Sequence, residues 1–125
     1  MYLALIVEDA PEMATIFAEI LQMAGLATEV ISNGQLAIAK LKEIVPAVVI
    51  LDMHLPHVSG MDILKSIRAD SRLALTKVIA VTADVLLIQD LEDLADLTLI
   101  KPVTFDQLSD LTTRLLPTQT STESQ

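Results

Sequence analysis

Ala47-Val48-Val49-Ile50-Leu51-Asp52 is five apolar residues without a polar break, ended by a carboxylate. A strand with one wet face would alternate apolar and polar. An unbroken run rich in Val, Ile and Leu is a strand covered on both faces, as in a parallel sheet with helices on either side. Tyr2–Val7 and Val78–Val81 read the same way. Ala27–Ile31, which contains Glu29, and the short Thr98–Ile100 read as edge strands.

Helical patterns fill the gaps. Met13, Ile16, Phe17, Ile20, Leu21 and Ala24 have the spacing of one helix face, with Pro11 suited to its start and Gly25 to a left-handed stop. Ser32 and Gln35 match a capping box ahead of a helix over Leu36–Ile44. Gly60–Ala69 and Val85–Ala95 read as the third and fourth helices. Thr104 with Gln107 would cap a fifth, with Phe105, Leu108, Leu111 and Leu115 inward and Pro117 as its stop. Residues 1–117 thus form one domain, and the all-polar Thr118–Gln125 reads as a disordered tail or the start of a linker. Five strand–helix repeats imply right-handed crossovers. Placing the three most apolar strands at the centre gives a flavodoxin-like doubly wound five-stranded parallel sheet, order 2-1-3-4-5, with five helices.

Composition narrows the function. The 125 residues suffice for one full core, and the absence of cysteine excludes disulfides, thiolate catalysis and Cys-type zinc sites. Eight Lys and Arg against 17 Asp and Glu give −9, which argues against direct nucleic-acid binding and against docking on anionic lipid. Hydrophobic residues make up 52%, but no apolar run reaches the ~18–20 residues of a membrane span. With no basic flank at the start and Glu8-Asp9 interrupting the first apolar stretch, no signal peptide is expected. The expected location is the cytoplasm.

In such sheets the ligand site lies beyond the carboxyl ends of the strands. Glu8 and Asp9 follow the first strand, Asp52 ends the third, Thr82 ends the fourth, and Lys101 with Pro102 follows the fifth. Three carboxylates from neighbouring strands repel one another and raise one another's pKa unless a cation joins them, and an all-oxygen set suits Mg²⁺. The hydroxyl and the ammonium on the other flank could bind the oxygens of an anionic group added to a carboxylate. The set reads as an aspartyl-phosphate site. His54 and His57, three apart around Pro56, lack the further ligands of a metal cluster and are expected to face solvent. The scattered Met residues read as core filler.

The chain resembles the response-regulator receiver domains of two-component signalling. The resemblance rests on Leu5-Ile6-Val7-Glu8-Asp9, on Val49-Ile50-Leu51-Asp52-Met53 with Leu55-Pro56 and Gly60, on Val81-Thr82-Ala83 and on Lys101-Pro102, all in order and each at a strand end. It implies that Asp52 accepts a phosphoryl group from a sensor histidine kinase or a phosphotransfer protein. It implies that Asp9 binds Mg²⁺ directly, Glu8 through water, and His54 through its backbone carbonyl. Thr82 and Lys101 would meet phosphoryl oxygens, across a Lys101–Pro102 bond that is often cis in such domains. No turnover enzyme is implied beyond self-phosphorylation and autodephosphorylation. The helix 4–strand 5–helix 5 face would serve a partner or a second copy.

Three departures stand out. Thr98 occupies the place of an aromatic residue that normally couples to the threonine. The span from Thr82 to Lys101 is about three residues short, close to one helical turn of ~3.6. Val85-Leu86-Leu87-Ile88 places four apolar residues in succession, which cannot all face inward on a helix and read either as local repacking or as an exposed patch. Three rivals follow: a pseudo-receiver kept as an interaction module, a haloacid-dehalogenase-type phosphatase and a flavodoxin. The phosphatase wants a second Asp where His54 stands, and Glu8-Asp9 would repel a flavin phosphate. The chain is expected to carry no output domain, or to be a receiver cut from a longer regulator.

Overall fold

Strands and helices alternate through residues 1–117, the part of the chain described by the computed structural model. The expectation of a disordered tail or linker start over 118–125 lies outside the described residues. The order is β1 (Leu3–Val7), α1 (Pro11–Met23), β2 (Ala27–Ile31), α2 (Gly34–Leu41), β3 (Val48–Asp52), α3 (Gly60–Ala69), β4 (Lys77–Thr82), α4 (Ile88–Leu91), β5 (Leu97–Ile100) and α5 (Phe105–Leu115). All neighbouring strands pair in parallel, in the order β2-β1-β3-β4-β5. This is the expected doubly wound sheet.

The two-residue period of a strand divides the core into two layers. Leu5, Val7, Val49, Leu51, Val78 and Ala80 face the buried side of α2 and α3, including Leu41, Ile63, Leu64 and Ile67. Ala4, Ile6, Val48, Ile50, Ile79 and Val81 face Phe17, Ile20 and Leu21 of α1 and Leu108 of α5. The core is almost wholly aliphatic, with Phe17 its one large ring.

Several local expectations are corrected. α2 is capped by Asn33, whose side chain accepts the Gln35 and Leu36 N–H groups, in place of a Ser32–Gln35 box, and it ends at Leu41. Asn is as good a cap as Ser, and here it stands next to the first helical residue. Ile16 and Phe105, expected inside, are 47% and 46% exposed. α4 is a single turn, preceded by a 3₁₀ turn over Val85–Leu87 whose N-cap is Asp84, instead of one helix over 85–95. The Thr104–Gln107 capping box of α5 is present with both reciprocal bonds.

Candidate functional site

The register of the sheet brings the strand ends to one rim. Asp52 pairs across from Val81, one residue short of Thr82. Thr82 pairs with Ile100, so Lys101 leaves β5 beside it, and the Lys101 N–H donates to the Thr82 carbonyl at 2.8 Å. On the other side, the Glu8 N–H donates to the Ile31 carbonyl at 3.1 Å. The acid pair is thereby fixed where β1 gives way to α1. The Lys101–Pro102 peptide is cis.

Glu8, Asp9 and Asp52 each offer a carboxylate oxygen within 4.8 Å of the others. Glu8 is 2% exposed and Asp52 3%, whereas Asp9 stands in solvent. One Glu8 oxygen accepts the Ala10 N–H at 3.2 Å, and the other, Oε1, is buried with no partner. Burial above all, then the adjacent Asp52 charge, pushes the Glu8 carboxyl up to about 7, against the Ala10 hydrogen bond and the Lys101 charge. Asp52 Oδ1 accepts the His54 backbone N–H at 3.0 Å and lies 3.5 Å from Lys101 Nζ. One side of the Asp52 carboxylate thus faces an ammonium, and the carboxylate as a whole faces two further acids.

Thr82 is fully buried, and its Oγ1 accepts the Asp84 N–H at 2.9 Å. The same oxygen lies 2.7 Å from His54 Nε2. His54 is exposed, as expected, and its ring makes this contact with the buried hydroxyl in addition. Nothing local in the sequence signals it, because it joins residues 28 positions apart. His57 is exposed, with a left-handed φ of 70°.

Gly60, the first residue of α3, sits directly over the end of β3. A Cβ there would lie 2.6 Å from Met53 Cα and 2.9 Å from the Asp52 carbonyl oxygen. Only glycine lets α3 approach the strand that carries Asp52 this closely.

These features define a flavodoxin-like α/β domain with an acidic pocket at the carboxyl ends of its central strands. The family model for the response regulator receiver domain matches residues 4–113. The chain belongs to that family, the receivers of two-component signalling, and this membership sets aside the phosphatase and flavodoxin readings. It is 35% identical over 98 residues to the DNA-binding response regulator MtrA of Mycolicibacterium smegmatis, covering 78% of this chain and 43% of MtrA. The chain spans less than half the length of MtrA and its mycobacterial counterparts. Among solved structures, it is similar to the Thermotoga maritima response regulator TrrA in complex with Mg²⁺–BeF, at 31% identity and a TM-score of 0.84, covering 93% of this chain and all of that one. It is also similar to the chemotaxis response regulator CheY4 of Vibrio cholerae, at 26% identity and a TM-score of 0.86, covering 93% and 99%.

Proposed function

We propose that this receiver accepts a phosphoryl group on Asp52 from a histidine kinase or a phosphotransfer protein in the cytoplasm, and that the modified site changes a partner-binding face. The reading is carried by one observation. Asp52 is a buried carboxylate at the end of a central strand, 3.5 Å from an ammonium and clustered with two further acids. In the transfer, the phosphorus–nitrogen bond of a phosphohistidine breaks and a phosphorus–oxygen bond to Asp52 forms. Lys101 offers a positive charge to the added oxygens, and Thr82 offers a hydroxyl.

The donor set fits Mg²⁺. It is all oxygen, it converges, and the orphan Glu8 Oε1 is a buried acceptor in want of a positive partner. Asp9 and Asp52 would hold the ion with the His54 carbonyl, and Glu8 would act through water. When bound, the ion supplies charge neutralisation for the incoming phosphoryl group. The partner face is proposed as α4–β5–α5. The exposed Val85, Leu86 and Ile88 at its edge support this assignment, Leu86 being 82% exposed.

Incubation with acetyl phosphate and Mg²⁺, followed by peptide mass spectrometry, tests the reading. The expected adduct is on Asp52, absent from Asp52→Asn and lost when the cation is chelated. No adduct on the wild type would favour the pseudo-receiver, and an adduct elsewhere would move the site.

A further inference from the structure

A threonine hydroxyl has one proton to donate and two lone pairs to accept with. At Thr82 Oγ1 the Asp84 N–H takes one lone pair, and His54 Nε2 approaches at 2.7 Å. Two proton placements are open to this contact. Either the hydroxyl proton is given to Nε2, or Nε2–H donates to the second lone pair. In the first case the hydroxyl has no proton left for another acceptor. In the second, moving the hydroxyl breaks the bond it receives. Both placements oppose a shift of Thr82 towards Asp52.

His54 also touches the nucleophile. Its backbone N–H donates to Asp52 Oδ1 at 3.0 Å. One residue is therefore bonded to the phosphoacceptor through its main chain and to the buried hydroxyl through its ring. The ring is accessible, while the hydroxyl it holds is fully buried.

We propose that the His54 imidazole is a positioning residue for Thr82: it holds the hydroxyl in the unmodified protein, and a phosphoryl group on Asp52 must compete with the ring for it. This rests on the proposed function of Asp52. Removing the ring nitrogen then makes the modified state easier to reach. One neutral hydrogen bond favours the unmodified state by a factor of about two to ten, and that is the expected gain. If the ring instead served the phosphoryl group directly, removing the nitrogen would weaken binding, so the sign of the effect separates the two.

The test uses the full chain with beryllofluoride as the phosphoryl mimic at saturating Mg²⁺ and fixed pH, titrated by NMR. His54→Phe keeps a flat ring without nitrogen and should bind the mimic about two- to tenfold more tightly. His54→Gln, which can again offer an amide to Thr82, should return towards the wild-type affinity. In a Thr82→Ala background, His54→Phe should have no effect, a coupling that a merely structural role would not show. A second measurement needs no mimic. The imidazole ¹⁵N shifts of His54 should move in Thr82→Val while those of His57 do not. Unmoved His54 shifts, weaker binding by His54→Phe, or an equal effect in both backgrounds would overturn the proposal. A wild type that binds no beryllofluoride would overturn the proposed function and this inference together. Binding at Asp52 without the coupling would overturn the inference alone.

Discussion

Glu8 shows how much of the site's chemistry lies in one buried acid. Its carboxyl is pushed up from an ordinary 4.5 to about 7, first by burial and then by Asp52. An acid whose folded pKa lies above its unfolded one binds protons more readily in the fold. Its contribution to stability is complete below about 4.5 and is lost as pH rises through about 7. In the metal-free protein, urea unfolding should show stability falling across this window by on the order of 1–3 kcal/mol from this residue. Glu8→Gln should flatten that slope and leave the metal-free variant the more stable of the two at pH 8. Mg²⁺ should displace the proton, so calorimetry at pH 6 in buffers of different ionisation heat should register proton release that Glu8→Gln abolishes. A slope equal in both proteins would place the titrating group elsewhere. Lys101 behaves differently, because its Nζ lies 3.5 Å from Asp52 Oδ1 and brings a positive charge to the acid cluster. Lys101→Ala should therefore weaken beryllofluoride binding at least tenfold while Mg²⁺ affinity holds or rises, since a competing cation has gone.

At the level of elements, the sheet was legible and α4 was not, for related reasons. Val48–Asp52 and Lys77–Thr82 are buried along their whole length or nearly so, and such strands announce themselves as unbroken apolar runs. The same logic placed Glu8, Asp9, Asp52, Thr82 and Lys101 at strand ends, so the candidate site could be assembled from order along the chain alone. Val85–Ile88 is equally apolar but stands on a 3₁₀ turn and the start of a one-turn helix. Apolarity without a period carries no element type. What closes this region is tertiary. Arg68 in α3 donates to the Leu94 carbonyl at 2.7 Å, to the Thr76 carbonyl at 3.0 Å and to Asp96 at 2.7 Å, and Asp96 accepts the Val78 N–H. No sequence pattern forecasts such a clamp, because its partners lie up to 28 positions apart. Arg68→Ala should cost about 1–3 kcal/mol in chemical denaturation, as two half-buried carbonyls and a carboxylate lose their donor. Gly60→Ala should be at least as costly, since the added Cβ meets the backbone of β3 and cannot be relieved by a rotamer change.

Across the whole molecule, stability should be distributed unevenly, and the weak part adjoins Thr82. β1, β3 and β4 are packed on both faces, and α1 and α5 close one side around Phe17, Ile20, Leu21 and Leu108. The opposite side is closed by α2 and α3, but beyond β4 it depends on a short segment in which Leu91 is the one fully buried side chain between Val85 and Asp93. That segment is held from behind by the Arg68 clamp at Leu94 and Asp96, and from in front by Asp84, which caps its first turn and donates its N–H to Thr82. Between those two anchors few buried contacts oppose local opening, so residues 85–93 should exchange amide hydrogens at lower free energy than any core strand. On the proposed function, the front anchor would also be the route out of the site. If a phosphoryl group on Asp52 draws Thr82 towards it, the Asp84 N–H must follow or let go, and the capped turn that carries Val85 and Leu86 is re-aimed with it. A bound group can bias such an element only by contacting its two states differently, and the Thr82–Asp84 bond provides the difference. Thr98 is too small to replace this path with a swinging ring. Hydrogen exchange with and without Mg²⁺–beryllofluoride should therefore change protection over 83–93 by more than it does in α1 or α5. Leu86→Glu should lower any self-association without changing the extent of Asp52 modification. Exchange over 83–93 that ignores the mimic while Asp52 binds it would mean that another face of the domain carries the signal.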